Sequence, residues 1–176
     1  MDEQWLLARG ASAYAVMHAD LHIRGRERAS YRLTRVDGLI IRETLTHEWP
    51  GRRLAALWLY GPDFPRTSEV AESIAAELEQ AGWIVLDARI QQPATPRALD
   101  LVPTESSAAL PGIVIMVNGA DDWSTTELTW LLSNNLVHRP DAPVRLLLTA
   151  STMDGLPALR AALTRLQADI RPLKVG

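Results

Sequence analysis

The sequence predicts an α/β fold, a three-layer and mostly parallel sheet flanked by helices, with an N-terminal helix and β-hairpin extension. Three observations carry that expectation. From Leu54 to Ala88 a hydrophobic strand runs into a Gly-Pro turn, a helix of mixed polarity follows, and a second hydrophobic strand begins at Trp83. The same order of strand, turn and helix returns between Pro111 and Thr152. Ile113 to Val117 is an uninterrupted apolar run, which a parallel strand covered on both faces requires. Alternating strands and helices imply one sheet with crossover connections. Residues 1–53 read as the extension and residues 54–176 as the core, together one compact domain.

Taken in order, residues 2–20 set Trp5, Leu6, Ala13, Val16 and Met17 at roughly helical spacing, broken at Gly10, so one helix or two short ones is expected. His18 and His22 stand four apart, a spacing that pairs metal ligands on a helix face. Asp20 would point elsewhere and Arg24, Arg26 and Arg28 repel a cation, so no metal site is expected. Residues 24–35 hold five arginines and Tyr31, either a solvated face or a strip that contacts phosphates. Asp37-Gly38 between β-branched flanks signals a hairpin, and Pro50-Gly51 turns the chain into the core.

A strand is expected over Leu54–Tyr60, then a helix from about Arg66 to Ala81 with Val70, Ile74, Leu78 and Ala81 along one side. Thr67 or Ser68 can cap its start, and Gly82 suits the position just past its end. Residues 89–111 contain four prolines and no sustained period, which predicts a long irregular connection, the least ordered part of the chain. After the apolar run, Ser124 and Glu127 form a capping box for a helix with Leu128, Leu131, Leu132 and Leu136 as its stripe. Val144–Thr149 reads as another buried strand, Gly155–Gln167 as a last helix, and Ile170–Val175 as an edge strand.

Composition excludes several classes. With no cysteine there is no disulfide scaffold, no thiolate metal site and no thiol nucleophile. No apolar run approaches the roughly 20 residues of a membrane span, and the start, MDEQ, is acidic where a signal peptide is basic, so a cytoplasmic protein without membrane partners is expected. The net charge of −3 conceals a slightly basic front and an acidic body. All basic residues but Lys174 are arginine, which matters because arginine's planar fork does not replace the slender lysine of a phosphate loop.

The turn after Tyr60 falls where P-loop proteins carry G-x-x-x-x-G-K-[ST]. Aligned on Gly61, the sequence gives Pro62, Asp63, Phe64 and Pro65, then Arg66 for the second glycine, Thr67 for the lysine, and Ser68 in register. Further on, GIVIMVNGADDWS and RLLLTAST stand where those families end one strand in metal-side acids and a later strand in a polar sensor. Over residues 54–152 the chain thus resembles P-loop NTPases of the AAA and signal-transduction ATPase branches, with degenerate Walker A and Walker B motifs. In the resemblance Asn118 replaces the carboxylate that follows the strand, Asp121 and Asp122 lie a few residues beyond it, and Thr149 takes the sensor place.

Pro62 and Pro65 each remove an N–H from a phosphate cradle and Asp63 adds a repelling charge. Losing the lysine and the metal-side acid should remove several orders of magnitude in rate. The resemblance therefore implies a pseudo-ATPase: no ATP hydrolysis, no catalytic residue, no required cofactor, and at most weak nucleotide binding at Gly61, Asp63, Arg66, Thr67, Ser68, Asp121, Asp122 and Thr149. It further implies an interaction or regulatory subunit whose partner is a protein, such as an active relative or another copy of itself. Trp49 and Trp123, both beside loops, are candidate exposed anchors. One alternative is a small-ligand binder or enzyme with its site at the carboxyl rim of the sheet; another is nucleic-acid binding through Arg24, Arg26 and Arg28.

Overall fold

The computed structural model describes residues 19–23, 45, 49, 52–90, 111–138 and 142–176. In chain order the elements are β1 (Ala19–Ile23), β2 (Leu54–Tyr60), α1 (Phe64–Gln80), β3 (Ile84–Ile90), β4 (Ile113–Val117), a 3-10 turn (Ala120–Asp122), α2 (Thr125–Leu132), a second 3-10 turn (Asn135–His138), β5 (Val144–Ala150), α3 (Leu156–Arg165) and β6 (Asp169–Lys174). They build a six-stranded sheet in the order β1-β3-β4-β5-β2-β6. Five strands are parallel, and β1 pairs antiparallel with β3 at one edge.

The strands alternate faces as the pleat demands. Leu54, Ala56 and Trp58 of β2 join Leu146 and Leu148 of β5 under α2 and α3. Ala55, Leu57 and Leu59 join Leu147 under α1, which contributes Val70, Ala71, Ile74, Ala75 and Leu78. Both faces are covered, and every residue of β4 and β5 is buried. This is why those segments read as unbroken apolar runs instead of alternating ones.

Helix ends follow local chemistry. Gly82, at φ +88°, closes α1: its N–H donates to Glu79 O and that of Trp83 to Leu78 O, the paired bonds of a Schellman end. α2 begins with the expected box, Glu127 N donating to Ser124 Oγ and Ser124 N to Glu127 Oε2. α3 ends in the same paired way as α1, Gln167 N to Thr164 O and Ala168 N to Leu163 O, but its left-handed residue is Gln167 at φ +55° and not a glycine.

β6 is a protected edge. Val175 N donates to Tyr60 O, so by alternation the N–H groups of Arg171 and Leu173 also face β2. Pro172 therefore lacks a donor on the open side only, where an N–H would invite another strand.

Two expectations need correction. Ala19 and Asp20, read as the end of a helix, belong to β1, because the open hydrogen-bonding edge of β3 offers them a ladder that local periodicity cannot foresee. His22 accordingly lies in a strand, and its pairing with His18 on a helix face is lost. Of the connection expected over 89–111, Arg89 and Ile90 instead extend β3, where they pair with Asp20 and Ala19; its residues 91–110, the rest of the expected N-terminal helix, the hairpin at Asp37-Gly38, and Arg24, Arg26 and Arg28 lie outside the described residues. From the first 53 residues, Leu45 and Trp49 are packed into the α1 side of the core.

Candidate functional site

The strand order fixes where a crevice can form. β2 and β5 are parallel neighbours, yet the helix that follows β2 covers one face and the helix that follows β5 covers the other. Their departing loops separate at the carboxyl ends, the switch point at which open α/β sheets take ligands. The loops that meet this rim are Gly61–Asp63 after β2, Asn118–Asp122 after β4 and Ser151–Gly155 after β5.

The loop after β2 is short. α1 starts at Phe64, three residues past Gly61, so Arg66, Thr67 and Ser68 sit in its first turns and not in a loop around an anion. The helix cap is Asp63, whose Oδ1 accepts from Arg66 N at 3.2 Å, with Pro65 preset for the first turn. The expected caps, Thr67 and Ser68, lie inside the helix. Thr67 is fully buried, and both its N–H and its hydroxyl donate to Asp63 O, at 3.0 and 3.1 Å. Arg66 is exposed and its Nε donates to the backbone oxygen of Gly176 at 2.8 Å.

Gly61 has a packing reason of its own. A Cβ there would stand 2.5 Å from Val175 O and 3.1 Å from Thr67 Oγ1. The glycine lets the chain leaving β6 run against the end of β2. Phe64, the chain's one phenylalanine, reaches the loop after β4: its Cζ lies 3.8 Å from where a Cβ on Gly119 would be.

The other two loops are stitched together. Thr149, fully buried, accepts at Oγ1 from Gly119 N and donates to Asn118 Oδ1, both at 3.2 Å. Gly119 is left-handed at φ +64°, and it turns β4 into the 3-10 turn that carries Asp121 and Asp122. Asp121 Oδ2 accepts from Ser151 N at 2.7 Å and Thr152 N at 3.3 Å, while Thr152 O accepts from the Trp58 indole at 3.0 Å. Asp63, Arg66, Asp121, Asp122 and Thr149 thus come to the same rim. The side-chain oxygens of Asp63, Asp121 and Thr149 hold their own backbone together there.

Trp49 and Trp123 are not exposed anchors: they are 7% and 8% exposed and packed in the core. For Trp49 the reason is Arg145, a residue that sequence reading passed over inside an apolar strand. Arg145 is 3% exposed, with its guanidinium 5.9 Å from the Trp49 ring centroid. It donates to Leu45 O, Val144 O, Arg52 O, Arg53 O and Trp49 O, at 2.9 to 3.5 Å. Burial lowers its pKa from the ordinary arginine value, but a guanidinium stays charged at neutral pH. The charge is the lone break in the run VRLLL, the only signal that could have flagged it.

Among the described residues no group of His, Asp and Glu is arranged to hold a metal, and no helix is long and apolar enough to cross a membrane. No family model, curated protein or solved structure matches this chain.

Proposed function

We propose that this chain is a non-catalytic, P-loop-like α/β module that serves as an interaction or regulatory subunit and does not hydrolyse ATP. The observation that carries the reading is the Asp63 cap. A helix N-terminus after the first core strand is where a triphosphate would be held, and here a carboxylate of the chain itself accepts the N–H of Arg66. A phosphate would have to approach against that charge, without the N–H groups that Pro62 and Pro65 lack. On the metal side, the amide of Asn118 stands in for an acid and accepts the Thr149 hydroxyl.

A module of this kind acts through its surface. Met153, 41% exposed on the loop after β5, is the apolar side chain this rim offers to a protein partner, an active P-loop relative or a second copy of the chain. Calorimetry with Mg-ATP tests the first half of the reading: no saturable heat is expected, and micromolar binding that requires Mg²⁺ would overturn it. A photo-crosslinker in place of Met153 tests the second. It should give one discrete adduct in the native cell, reproduced with the purified partner, and Met153→Asp in the chain without the crosslinker should weaken binding of that partner; no discrete adduct would overturn this half.

A further inference from the structure

The loop after β4 carries a pair of groups with chemistry of its own. Of the three asparagines, Asn118, Asn134 and Asn135, only Asn118 precedes a glycine. With no Cβ on Gly119, its backbone nitrogen meets little steric resistance in closing on the side-chain amide of the residue before it. The glycine is also demanded by the turn, because its φ of +64° lies in the left-handed region. Asn118 is exposed, so water reaches its amide, whereas Thr149 behind it is fully buried.

Thr149 is bonded to both of the groups that would react. Its Oγ1 accepts from Gly119 N and donates to Asn118 Oδ1, each at 3.2 Å. The first bond draws the proton off the backbone nitrogen, and the second draws electrons from the side-chain carbonyl carbon of Asn118 towards its oxygen. An attack of that nitrogen on Cγ needs these same two changes, since a proton must leave the nucleophile and charge develops on Oδ1. One hydroxyl can take a proton on one side while giving its own on the other, so no net charge is left in a buried turn.

We infer that the chain modifies itself here: Asn118 and Gly119 close to a succinimide that water opens, with Thr149 as the proton relay. The Gly119 nitrogen bonds to Asn118 Cγ and gives its proton to Thr149, whose own proton passes to Oδ1. As the carbonyl re-forms, that proton moves to the side-chain nitrogen, the Cγ–Nδ2 bond breaks and ammonia leaves. Water then adds to a ring carbonyl. Cleavage of the Cγ–N bond gives aspartate, and cleavage of the backbone C–N bond gives isoaspartate. No electrons are exchanged, and water is the sole co-reactant. Either product puts a carboxylate directly after β4, and isoaspartate lengthens the main chain by one methylene ahead of the turn that carries Asp121. Asp121 holds the N–H groups of Ser151 and Thr152, so the change reaches the loop after β5. This chemistry does not depend on what the surface of the chain binds.

The test is peptide mapping by mass spectrometry of the full chain after incubation in neutral buffer. The mass gain of an amide turned into an acid should appear at Asn118 and not at Asn134 or Asn135, with isoaspartate among the products. Thr149→Val should slow the reaction about tenfold, and Thr149→Ser, which keeps the hydroxyl, should not. A side chain that merely braced the turn predicts the reverse, because losing it gives the backbone more freedom to close the ring. A free peptide of residues 113–123 has the same Asn-Gly without the hydroxyl, and it should react more slowly than the folded chain. Circular dichroism reports that each variant is folded; should Thr149→Val not fold, Thr149→Ala removes the same group, and the peptide comparison needs no variant. An Asn118 that stays unmodified, a rate that holds or rises without the hydroxyl, or a peptide that outpaces the folded chain overturns the inference.

Discussion

Replacing Gly61 by alanine separates a glycine kept for phosphate from a glycine kept for packing. The new methyl would meet Val175 O at 2.5 Å, closer than carbon and oxygen allow, and the obstacle is backbone, not a side chain that can swing away. Forcing a methyl into such a contact costs about 1–3 kcal/mol. If the end of β6 moves to make room, the Val175 N to Tyr60 O bond of 2.8 Å is strained or lost, a further 1 kcal/mol or so. Alanine also restricts the unfolded chain, which returns about 0.4–1 kcal/mol because Gly61 has no positive φ. The net is a loss of about 2 kcal/mol, which for a chain of this length lowers the melting temperature by roughly 4–8 °C. Urea unfolding of the nucleotide-free protein measures it, with an unchanged m-value as the sign that only stability moved. In a chain ending at Lys174 the Val175 carbonyl is gone and only the 3.1 Å approach to Thr67 Oγ1 remains, so the same substitution should cost clearly less there, and the two backgrounds form a double-mutant cycle. A neutral or stabilising Gly61→Ala in the full chain would refute the packing account and return the glycine to a ligand role.

Arg145→Met keeps the bulk but takes a donor from five carbonyls, of which Trp49 O and Arg53 O keep a backbone partner, and a loss of about 3 kcal/mol is expected by urea unfolding; Arg145→Lys should recover part of it. Asp63→Ala should lower stability by about 1 kcal/mol through the lost cap, Asp63→Asn by less than about half of that, and calorimetry should find neither variant able to take up Mg-ATP, since the Thr67 hydroxyl remains buried and turned to Asp63 O. Thr149→Val leaves Gly119 N–H unpaired in a buried turn and should cost about 1–2 kcal/mol, whereas Thr149→Ser keeps the hydroxyl and should stay within about 1 kcal/mol of the parent in the same assay.

Most of the body was legible because its signals are local. The strand limits at Leu54–Tyr60 and Ile113–Val117, the Ser124–Glu127 box and the Gly82 stop rest on hydrogen bonds and sterics within a few residues. What was not legible depends mainly on distant segments. The helix start is the exception: Asp63 followed by Pro65 is a local capping signal, but the hydroxyls of Thr67 and Ser68 compete with it and set the expected start at Arg66. Trp49 and Trp123 sit near loops in sequence, but burial depends on what the folded chain lays over them, and for Trp49 that is Arg145, nearly a hundred positions away. Asp121, expected a few residues past the strand that ends at Val117, and Thr149, expected near the end of the next strand, meet partners, Ser151 N and Gly119 N, that belong to other loops which only the sheet order brings near.

The sequence by itself determined that this is an α/β chain with a continuous parallel core, because unbroken apolar strands and one-sided helices have few other ways to leave water. Tertiary structure alone decided which strands are neighbours, that β2 and β5 send their helices to opposite faces, and that Arg52, Arg53, His138 and Gln167 line one cleft. The reason is physical: periodicity and capping are set by contacts along the chain, whereas a crevice exists only between segments whose meeting depends on how the whole sheet is ordered.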